Sequence, residues 1–318
     1  MIMKERKRPL QLIQLEVLLR RIPKSHPKRP FMEEEFAKRI TGFRGEESLD
    51  YHLGFLSNEK YAIFHDLRLS NQNRFFQIDT LIVSTNFILI IEVKNIIGTL
   101  YFDEQFQQLI RTFDGKEEGL PDPLMQVRRQ QFQLYQWLER HHFPKLPIET
   151  LVVISNPTTI IKSSHPTLAQ VIHAAKLPII IKQLEHQYNV PKLQINEIKR
   201  LTTWLKEKHV PPQIDIFRHF NIQQHEIMKG VHCPSCDFLP IVKTRGAWTC
   251  PKCKQTSEEA FVLSLKDYQI LYGNIISNKQ FRLFLQVPSR TTARNLLKTM
   301  NLKHIGKKKG YVYILPDG

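Results

Sequence analysis

The stretch "FFQIDTLIVSTNFILIIEVKN" (residues 75–95) contains two apolar segments separated by the turn-forming residues "STN". Short apolar runs bounded by turn residues predict two antiparallel strands joined by a hairpin. Asp79, Glu92 and Lys94 are charged residues inside these runs. Burying a charge without a partner costs free energy, because the ion loses its water and gains nothing in exchange. The hairpin therefore indicates a sheet with charged residues collected at one edge.

Strand geometry brings these three residues together. Alternate side chains of a strand share a face, so Glu92 and Lys94 point the same way. An antiparallel pairing around "STNF" brings Asp79 within reach of Glu92. Two carboxylates suit a hard divalent cation such as Mg²⁺ or Mn²⁺, and a neighbouring ammonium orients a nucleophile or neutralises developing charge. The sequence thus predicts that Asp79 and Glu92 bind a metal beside Lys94.

A simpler interpretation of the hairpin is also open. Asp79 would be a polar residue near a turn, and Glu92 and Lys94 would form an ion pair on the solvated side of the sheet, where such pairs contribute little. The strand "FILIIEVKN" is apolar on both faces before Glu92. Charges at the end of a strand of this central type favour a site over a solvated face.

The flanking sequence predicts helices and further strands around the hairpin. In order, these are a helix at about Glu46–Leu56, the strand "YAIFHDLRL", the hairpin, a polar insertion "FDGKEEGLPDP", the long helix "LMQVRRQQFQLYQWLERHH" and the strand "ETLVVIS". This α-β-β-β-α-β order predicts an α/β (α+β) fold, with a mixed sheet flanked by helices. "LPIIIK" predicts one more short strand, and "INEIKRLTTWLKEKH" predicts another helix.

Four motifs within roughly Thr41–Ser155 together resemble the nuclease-related domain (NERD) family, a branch of the PD-(D/E)xK, or restriction-endonuclease-like, phosphodiesterases. The motifs are "GFRGEE", "FQIDTLIVS", "IIEVKNIIG" and "DPLMQ". The resemblance implies a restriction-endonuclease-like fold and a metal-dependent nuclease. It also implies roles for individual residues: Glu46 as the acidic residue of the first helix, Asp79 and Glu92 as metal-binding carboxylates, Lys94 as the catalytic lysine, and Gln126 as the helical glutamine.

Parts of this resemblance leave alternatives open. No proline precedes "QID", a departure that is common in the superfamily, and the helix phase decides between Glu46 and the adjacent Glu47. The helix around Gln126 is also explained as an amphipathic cover of the sheet. Gln131 and Tyr135 have the Q-xxx-Y spacing known in RecB-like relatives, where it grips DNA.

All four cysteines lie in "CPSCDFLPIVKTRGAWTCPKC". Cys233, Cys236, Cys250 and Cys253 form two C-x-x-C pairs at a spacing that suits tetrahedral Zn²⁺, and four thiolates leave no open position for water. A structural zinc ribbon is the prediction, since no thioredoxin-like strand and helix surround either pair. Trp248 and nearby basic residues, including Arg245, would suit contact with nucleic acid. The alternative is that Trp248 shields the metal.

The C-terminal sequence resembles a small winged helix-turn-helix, whose recognition helix enters the major groove of DNA. The predicted phosphate contacts are Arg290, Arg294, Lys298, Lys307, Lys308 and Lys309. A solvated basic cap on a helical hairpin is the alternative.

The whole chain of 318 residues has a net charge of +16 and a pI near 9.7, which favours polyanionic partners, although a merely basic protein is a serious rival. The predicted domains are a basic helical extension (1–40), a nuclease-related domain (41–210), a linker (211–230), a zinc ribbon (231–257) and a winged-helix-like module (258–318). No apolar window reaches the roughly 20 residues of a membrane span, so we expect a cytoplasmic protein.

The leading functional hypothesis is a metal-dependent nuclease that cuts nucleic acid, DNA in preference to RNA. One alternative is a catalytically silent nuclease-fold protein that binds nucleic acid through its zinc ribbon and C-terminal module. Another makes the basic N-terminal helix an anchor to a membrane surface or a partner protein. The sequence does not determine the oligomeric state.

Overall fold

The computed structural model describes residues 1–72, 74–164, 169–244, 246–306 and 310–316. The chain divides into two compact units. Unit 1 consists of Met1–Lys7 and Arg39–Gln213, and unit 2 consists of Arg8–Lys38 and Ile214–Gly318. Both units are therefore assembled from separate stretches of the chain.

The helices and strands are numbered here in chain order. They are β1 (Ile2–Lys4), α1 (Leu10–Arg21), α2 (Arg29–Leu53), β2 (Ala62–Asn71), β3 (Arg74–Val83), β4 (Ile88–Lys94), β5 (Thr99–Asp103), β6 (Gln108–Phe113), β7 (Lys116–Pro121), α3 (Pro123–Arg140), β8 (Ile148–Ile154), β9 (Ile160–Ser163), β10 (Val171–His173), α4 (Leu177–Gln187), α5 (Ile195–Glu207), α6 (Ile216–Phe220), β11 (Val242–Thr244), β12 (Ala247–Thr249), β13 (Thr256–Ser257), α7 (Ala260–Tyr272), β14 (Ile275–Ser277), α8 (Asn278–Leu285), α9 (Arg290–Thr299), β15 (Lys303–Ile305) and β16 (Val312–Ile314).

Unit 1 is built on a six-stranded mixed sheet in the order β1-β2-β3-β4-β8-β10. Strand β3 is antiparallel to both of its neighbours, β2 and β4. The other pairs, β1 with β2, β4 with β8 and β8 with β10, are parallel. The turn after Val83 sets the hairpin register, because Val83 pairs with Ile88 and Thr80 pairs with Ile91. The predicted mixed α/β architecture and its central hairpin are confirmed.

The central strands are apolar on both faces because helices cover both sides of the sheet. Ile88 and Ile90 pack with the buried side chains of α3, while Leu89 and Ile91 pack with those of α2 and α4. Consecutive residues of β4 thus enter different cores, as the alternation of side chains along a strand requires. Both faces of the hairpin are therefore closed to water until the strands reach the charged edge.

Two predictions of local structure need correction. The segment "LPIIIK" was expected to be a strand, but it begins helix α4. Pro178 suits the first helical turn, where an N–H is not needed, and Leu177, Ile181 and Leu184 form a buried face at helical spacing. The polar insertion forms part of a second sheet, in the order β7-β6-β5-β9, because its strands pair with one another through the backbone.

Unit 2 contains a helical core and two small sheets. Strands β11-β12-β13 form an antiparallel sheet beside the cysteines, and strands β14-β16-β15 form another. The chain order α7-β14-α8-α9-β15-β16 with this strand order is like that of a winged helix. Among the described residues of the whole chain, no helix combines the length and the apolar character needed to cross a bilayer.

Candidate active site

Lys94 lies between an acidic residue and an amide at the end of β4. Its Nζ donates to Oε1 of Glu92 at 2.8 Å and to Oε1 of Gln126 on α3 at 3.2 Å. The Glu92 side chain is 3% exposed, whereas that of Lys94 is 26% exposed. The pair is thus a buried carboxylate with a cation at the rim, which differs from the solvated surface pair of the simpler interpretation.

Asp79 approaches the same edge from the neighbouring strand. Continuing the β3/β4 register by one step from Thr80 and Ile91 places Asp79 beside Glu92. Its Oδ2 accepts a hydrogen bond from the backbone N–H of Val93 at 3.1 Å. Loss of hydration, followed by the negative charges of Glu92 and Glu46, raises the pKa of Asp79 well above its usual value. The strand register therefore places Asp79 and Glu92 at the same edge of the sheet, and their joint binding of a metal stays a prediction.

Helix α2 brings Glu46 toward the sheet and leaves Glu47 exposed. Burial, together with the charges of Asp66 and Glu92, raises the pKa of Glu46 to about 7, although Arg6 acts in the opposite direction. The close approach of α2 depends on Gly45. A Cβ at this position would lie 2.4 Å from Cβ of Asn95, the residue after β4. The absent side chain thus lets the helix carry Glu46 to the end of the strand.

Helix α3 supplies two glutamines to this edge. Gln126 accepts from Lys94, and Gln130, one turn later, donates to Oε2 of Glu92 and to the carbonyl of Gln77, each at 3.0 Å. Sequence reasoning missed Gln130, although its i,i+4 spacing from Gln126 was visible. Gln131 instead donates to the backbone carbonyl of Ile148, so its amide serves packing inside unit 1.

Two further residues of the site could not be predicted from the sequence. Asp66 on β2 raises the pKa of Glu46 and accepts a hydrogen bond from Gln77 at 3.0 Å. Arg6 forms an ion pair with Glu46 at 3.0 Å, although 40 residues separate them. Both lie outside the motifs that indicated the site, and only the folded sheet brings them near it.

The comparison with protein families agrees with this geometry. Residues 41–155 match the family model of the nuclease-related domain, NERD. The chain contains a nuclease-related domain. This confirms the resemblance carried by the four motifs, which lie in the same range. Neither the curated proteins nor the solved structures gave a match.

The acidic edge of the nuclease-related domain has the donor chemistry for a divalent cation. Asp79 and Glu92 offer carboxylate oxygens, and the negative charges around Asp79 disfavour its ionised form unless a cation is bound. Within the described residues, only the cysteines form a set of three or more metal-ligating side chains whose donor atoms all lie within 4.8 Å of one another. Two carboxylates with retained waters match Mg²⁺, which rarely uses an all-protein cage.

The four cysteines form a separate candidate metal centre in unit 2. The Sγ atoms of Cys233 and Cys253 are 3.5 Å apart, and those of Cys236 and Cys250 are 3.6 Å apart. Tetrahedral ligation with Zn–S bonds of about 2.3 Å requires sulfur atoms roughly 3.8 Å apart, so the cluster fits zinc. In each pair, the residue after the second cysteine adopts a positive φ, 54° at Asp237 and 63° at Lys254. The two pairs thus form matching turns around one point.

Trp248 beside this cluster is a packing residue. It is 3% exposed, its ring lies 5.3 Å from that of Phe261, and Lys243 covers it at 4.5 Å. A side chain in this position is not available to stack on a base. Of the two interpretations of Trp248, burial beside the metal centre agrees with the structure.

The structure describes three of the six residues that were predicted to contact phosphate. Arg290, Arg294 and Lys298 are exposed on α9 at four-residue intervals, so they line one face of the helix. Lys307, Lys308 and Lys309 lie outside the described residues, as does Arg245. The adjacent face of α9 buries Ala293 and Leu297 in the core of unit 2.

Proposed function

We propose that the protein is a metal-dependent nuclease of the PD-(D/E)xK type that hydrolyses phosphodiester bonds in nucleic acid, with DNA favoured over RNA. One observation supports this above all. Lys94 is hydrogen-bonded to Glu92 at the strand end where Asp79 contacts the backbone of Val93. Two carboxylates and an ammonium are the groups that phosphodiester hydrolysis needs around a scissile phosphate.

The residues of the site have separate roles in this proposal. Asp79 and Glu92 would hold Mg²⁺ or Mn²⁺, which when bound activates water and stabilises negative charge. Lys94 has three N–H groups, and two of them are used by Glu92 and Gln126. The third has no acceptor among the residues that the structure describes, so in this proposal it serves a phosphate oxygen or the attacking water. Gln130 fixes the orientation of Glu92, and Glu46 adds a carboxylate from the side of α2.

Direct assays with several nucleic acids test the proposal. The purified protein is incubated with linear, circular and single-stranded DNA and with RNA, with and without added Mg²⁺. We expect Mg²⁺-dependent cleavage that falls at least about 100-fold in folded Asp79→Ala, Glu92→Ala and Lys94→Ala variants. A Glu46→Gln variant is measured in the same assay. Its matched control is Glu47→Gln, because Glu47 is exposed on the same helix. Cleavage that is undiminished in the three alanine variants overturns the assignment.

Helix α9 supports a second candidate function, nucleic-acid binding without turnover. Its three exposed basic residues, Arg290, Arg294 and Lys298, share one face in a winged-helix-like order of elements. Salt-dependent binding of DNA by a protein that cleaves none of the substrates would favour this function over the enzyme. In either case we place the protein in the cytoplasm, since four thiolates gathered for a metal suit a reducing compartment.

A further inference from the structure

Arg6 lies outside the 41–155 range that matches the nuclease-related family, yet its side chain reaches the candidate active site. We propose that Arg6 is a positioning residue for catalysis, which holds Glu46 of α2 in a fixed place relative to strand β3. The nuclease-related domain of this chain is then complete only with residues 1–7. This inference rests on the proposed nuclease function and names a residue through which that function is organised.

All three nitrogen atoms of the Arg6 guanidinium contact neighbouring side chains. Its side chain is 4% exposed. Nη1 donates to Oε2 of Glu46 at 3.0 Å, while Nε and Nη2 contact the carboxylate of Asp50 at 3.1 to 3.3 Å. Nη2 also contacts Oγ1 of Thr80 at 3.1 Å and Nδ1 of His65 at 2.8 Å. One planar group therefore joins helix α2 to strands β2 and β3.

The contact with Thr80 places this cross-link next to the metal-binding residues. Thr80 is fully buried and follows Asp79 directly in the chain. Glu46 and Asp50 are one turn apart on α2, so two anchors on the same helix face fix both its distance and its rotation. A guanidinium suits this task because its N–H groups form a rigid fork, whereas an ammonium acts as a point charge.

Strand β1 determines where Arg6 lies. It pairs in parallel with β2 at the edge of the central sheet, and Nζ of Lys4 donates to the carbonyl of His65 at 2.7 Å. Arg6 follows two residues later and turns its side chain under α2. The N-terminal segment thus contributes both an edge strand and a buried cation to unit 1.

A double-mutant cycle distinguishes positioning from a purely structural role. Cleavage by the full chain is measured for wild type, Arg6→Gln, Glu46→Gln and the double variant, each with thermal unfolding. If Arg6 acts through Glu46, we expect Arg6→Gln to lower kcat about tenfold or more. KM should stay within about twofold, because an interaction specific to the transition state is lost. The same change in the Glu46→Gln background should have little further effect.

Two additional variants keep the test informative. Lys4→Met removes the contact with the carbonyl of His65 but keeps the backbone pairing of β1 with β2, which holds Arg6 in place, so it should lower stability and leave kcat unchanged. Arg6→Lys retains the charge but not the fork, and it takes the place of Arg6→Gln in the cycle if that variant does not fold.

Each outcome bears on one claim. A wild-type protein that cuts no nucleic acid removes the nuclease function and this inference with it. If wild type cuts, the positioning role alone is overturned by a folded Arg6→Gln variant with unchanged kcat. Independent effects of the Arg6 and Glu46 changes also overturn it, as does a loss of kcat in Lys4→Met as large as that in Arg6→Gln.

Discussion

Gln130 on α3 donates its side-chain amide to Oε2 of Glu92 at 3.0 Å, across 38 residues of sequence. The remaining oxygen of Glu92 accepts from Lys94, so both oxygens of this carboxylate are held before any ligand arrives. Pre-arranged carboxylates bind metal ions better, since partners of a ligand fix its orientation.

Replacing Gln130 tests this arrangement. Gln130→Leu keeps the volume but removes the donor, so we expect nuclease activity and Mn²⁺ affinity to fall about 10- to 100-fold. Isothermal titration with Mn²⁺ and initial cleavage rates measure both. Gln133→Leu on the same helix is the control, because Gln133 is half-buried. Equal metal affinity in Gln130→Leu and wild type would contradict the role given to Gln130.

Two glycines of α2 provide a matched pair for the packing of that helix. A Cβ on Gly45 would lie 2.4 Å from Cβ of Asn95 and 2.8 Å from Oγ of Ser155, whereas a Cβ on Gly42 would meet nothing within 4 Å. Gly45→Ala should therefore destabilise the fold by about 1–3 kcal/mol and reduce activity. Gly42→Ala should stabilise it by up to about 1 kcal/mol. Urea unfolding and cleavage rates measure the effects, and similar results for the two variants would show that α2 is not held closely at Gly45.

The cysteine cluster predicts one zinc ion per chain. Cys233→Ser should abolish zinc binding and lower the thermal stability of unit 2, because metal binding of this kind contributes directly to folding. Elemental analysis and differential scanning calorimetry measure the two effects. Asp79→Ala should keep its full zinc content, since Asp79 belongs to unit 1. Zinc retained in Cys233→Ser would mean that the ion is held elsewhere.

The exposed basic face of α9 predicts a change in the salt dependence of DNA binding. Replacing Arg290, Arg294 and Lys298 together by alanine should reduce the slope of log K against log salt by up to about 2.7, at 0.9 per lost phosphate contact. Fluorescence anisotropy over a salt series measures this slope. A control triple of exposed lysines elsewhere in unit 2, Lys24, Lys266 and Lys279, removes the same charge. Equal slopes for the two triple variants would show that α9 contributes only its positive charge and makes no particular phosphate contacts.

A buried ion pair stabilises unit 2 and gives it an acid limit. Nε of Arg21, whose side chain is 0% exposed, lies 2.7 Å from Oδ2 of Asp267. Burial alone would raise the pKa of Asp267, but the hydrogen bond to His232 and the charge of Arg21 outweigh it and hold that pKa below its usual value. The carboxylate therefore stabilises the fold above the ordinary pKa of about 4, and this contribution is lost as the pH falls through the lowered pKa.

Asp267→Asn leaves Arg21 buried without its charge partner, and we expect a cost of roughly 3–5 kcal/mol at neutral pH. Denaturant unfolding of both proteins as the pH is lowered below about 4 should bring their stabilities together. Glu33→Gln breaks the exposed pair with Arg29 and should change stability by less than about 1 kcal/mol. A pH-independent difference between Asp267→Asn and wild type would show that the charge of Asp267 is not the source of the stability.

The sequence predicted those parts of the fold that depend on local patterns. The turn between Val83 and Ile88 set the register of β3 and β4, and that register determined the meeting of Asp79 with Glu92. Alternation along β4 placed Glu92 and Lys94 together, because a strand has a strict period of two. The spacing of the cysteines was sufficient to predict that their four sulfur atoms lie together, since both pairs form short local turns.

Other parts of the structure depend on contacts between distant segments. The segment "LPIIIK" is apolar enough for a strand, and only its packing in unit 1 favours helix α4. Three basic residues surround Arg6 in "KERKRP", and no local pattern separates the one that becomes buried from those that stay at the surface. Gln130 sits in a helix rich in glutamine, where only the fold shows which side chain meets Glu92.

The division of the chain into interleaved units has a consequence for synthesis. Helix α1 buries Leu15, Val17 and Leu18 in the core of unit 2. Apart from the start of α2, the other helices of this unit begin at Ile216 or later. At translation rates of 5–20 residues per second, this apolar helix leaves the ribosome roughly ten seconds or more before its partners. Unit 1 ends at Gln213, so it can close around residues 1–7 while the rest of unit 2 is still being synthesised. Helix α1 therefore stays without its core until the end of synthesis. A chaperone that shields α1 would act during this interval.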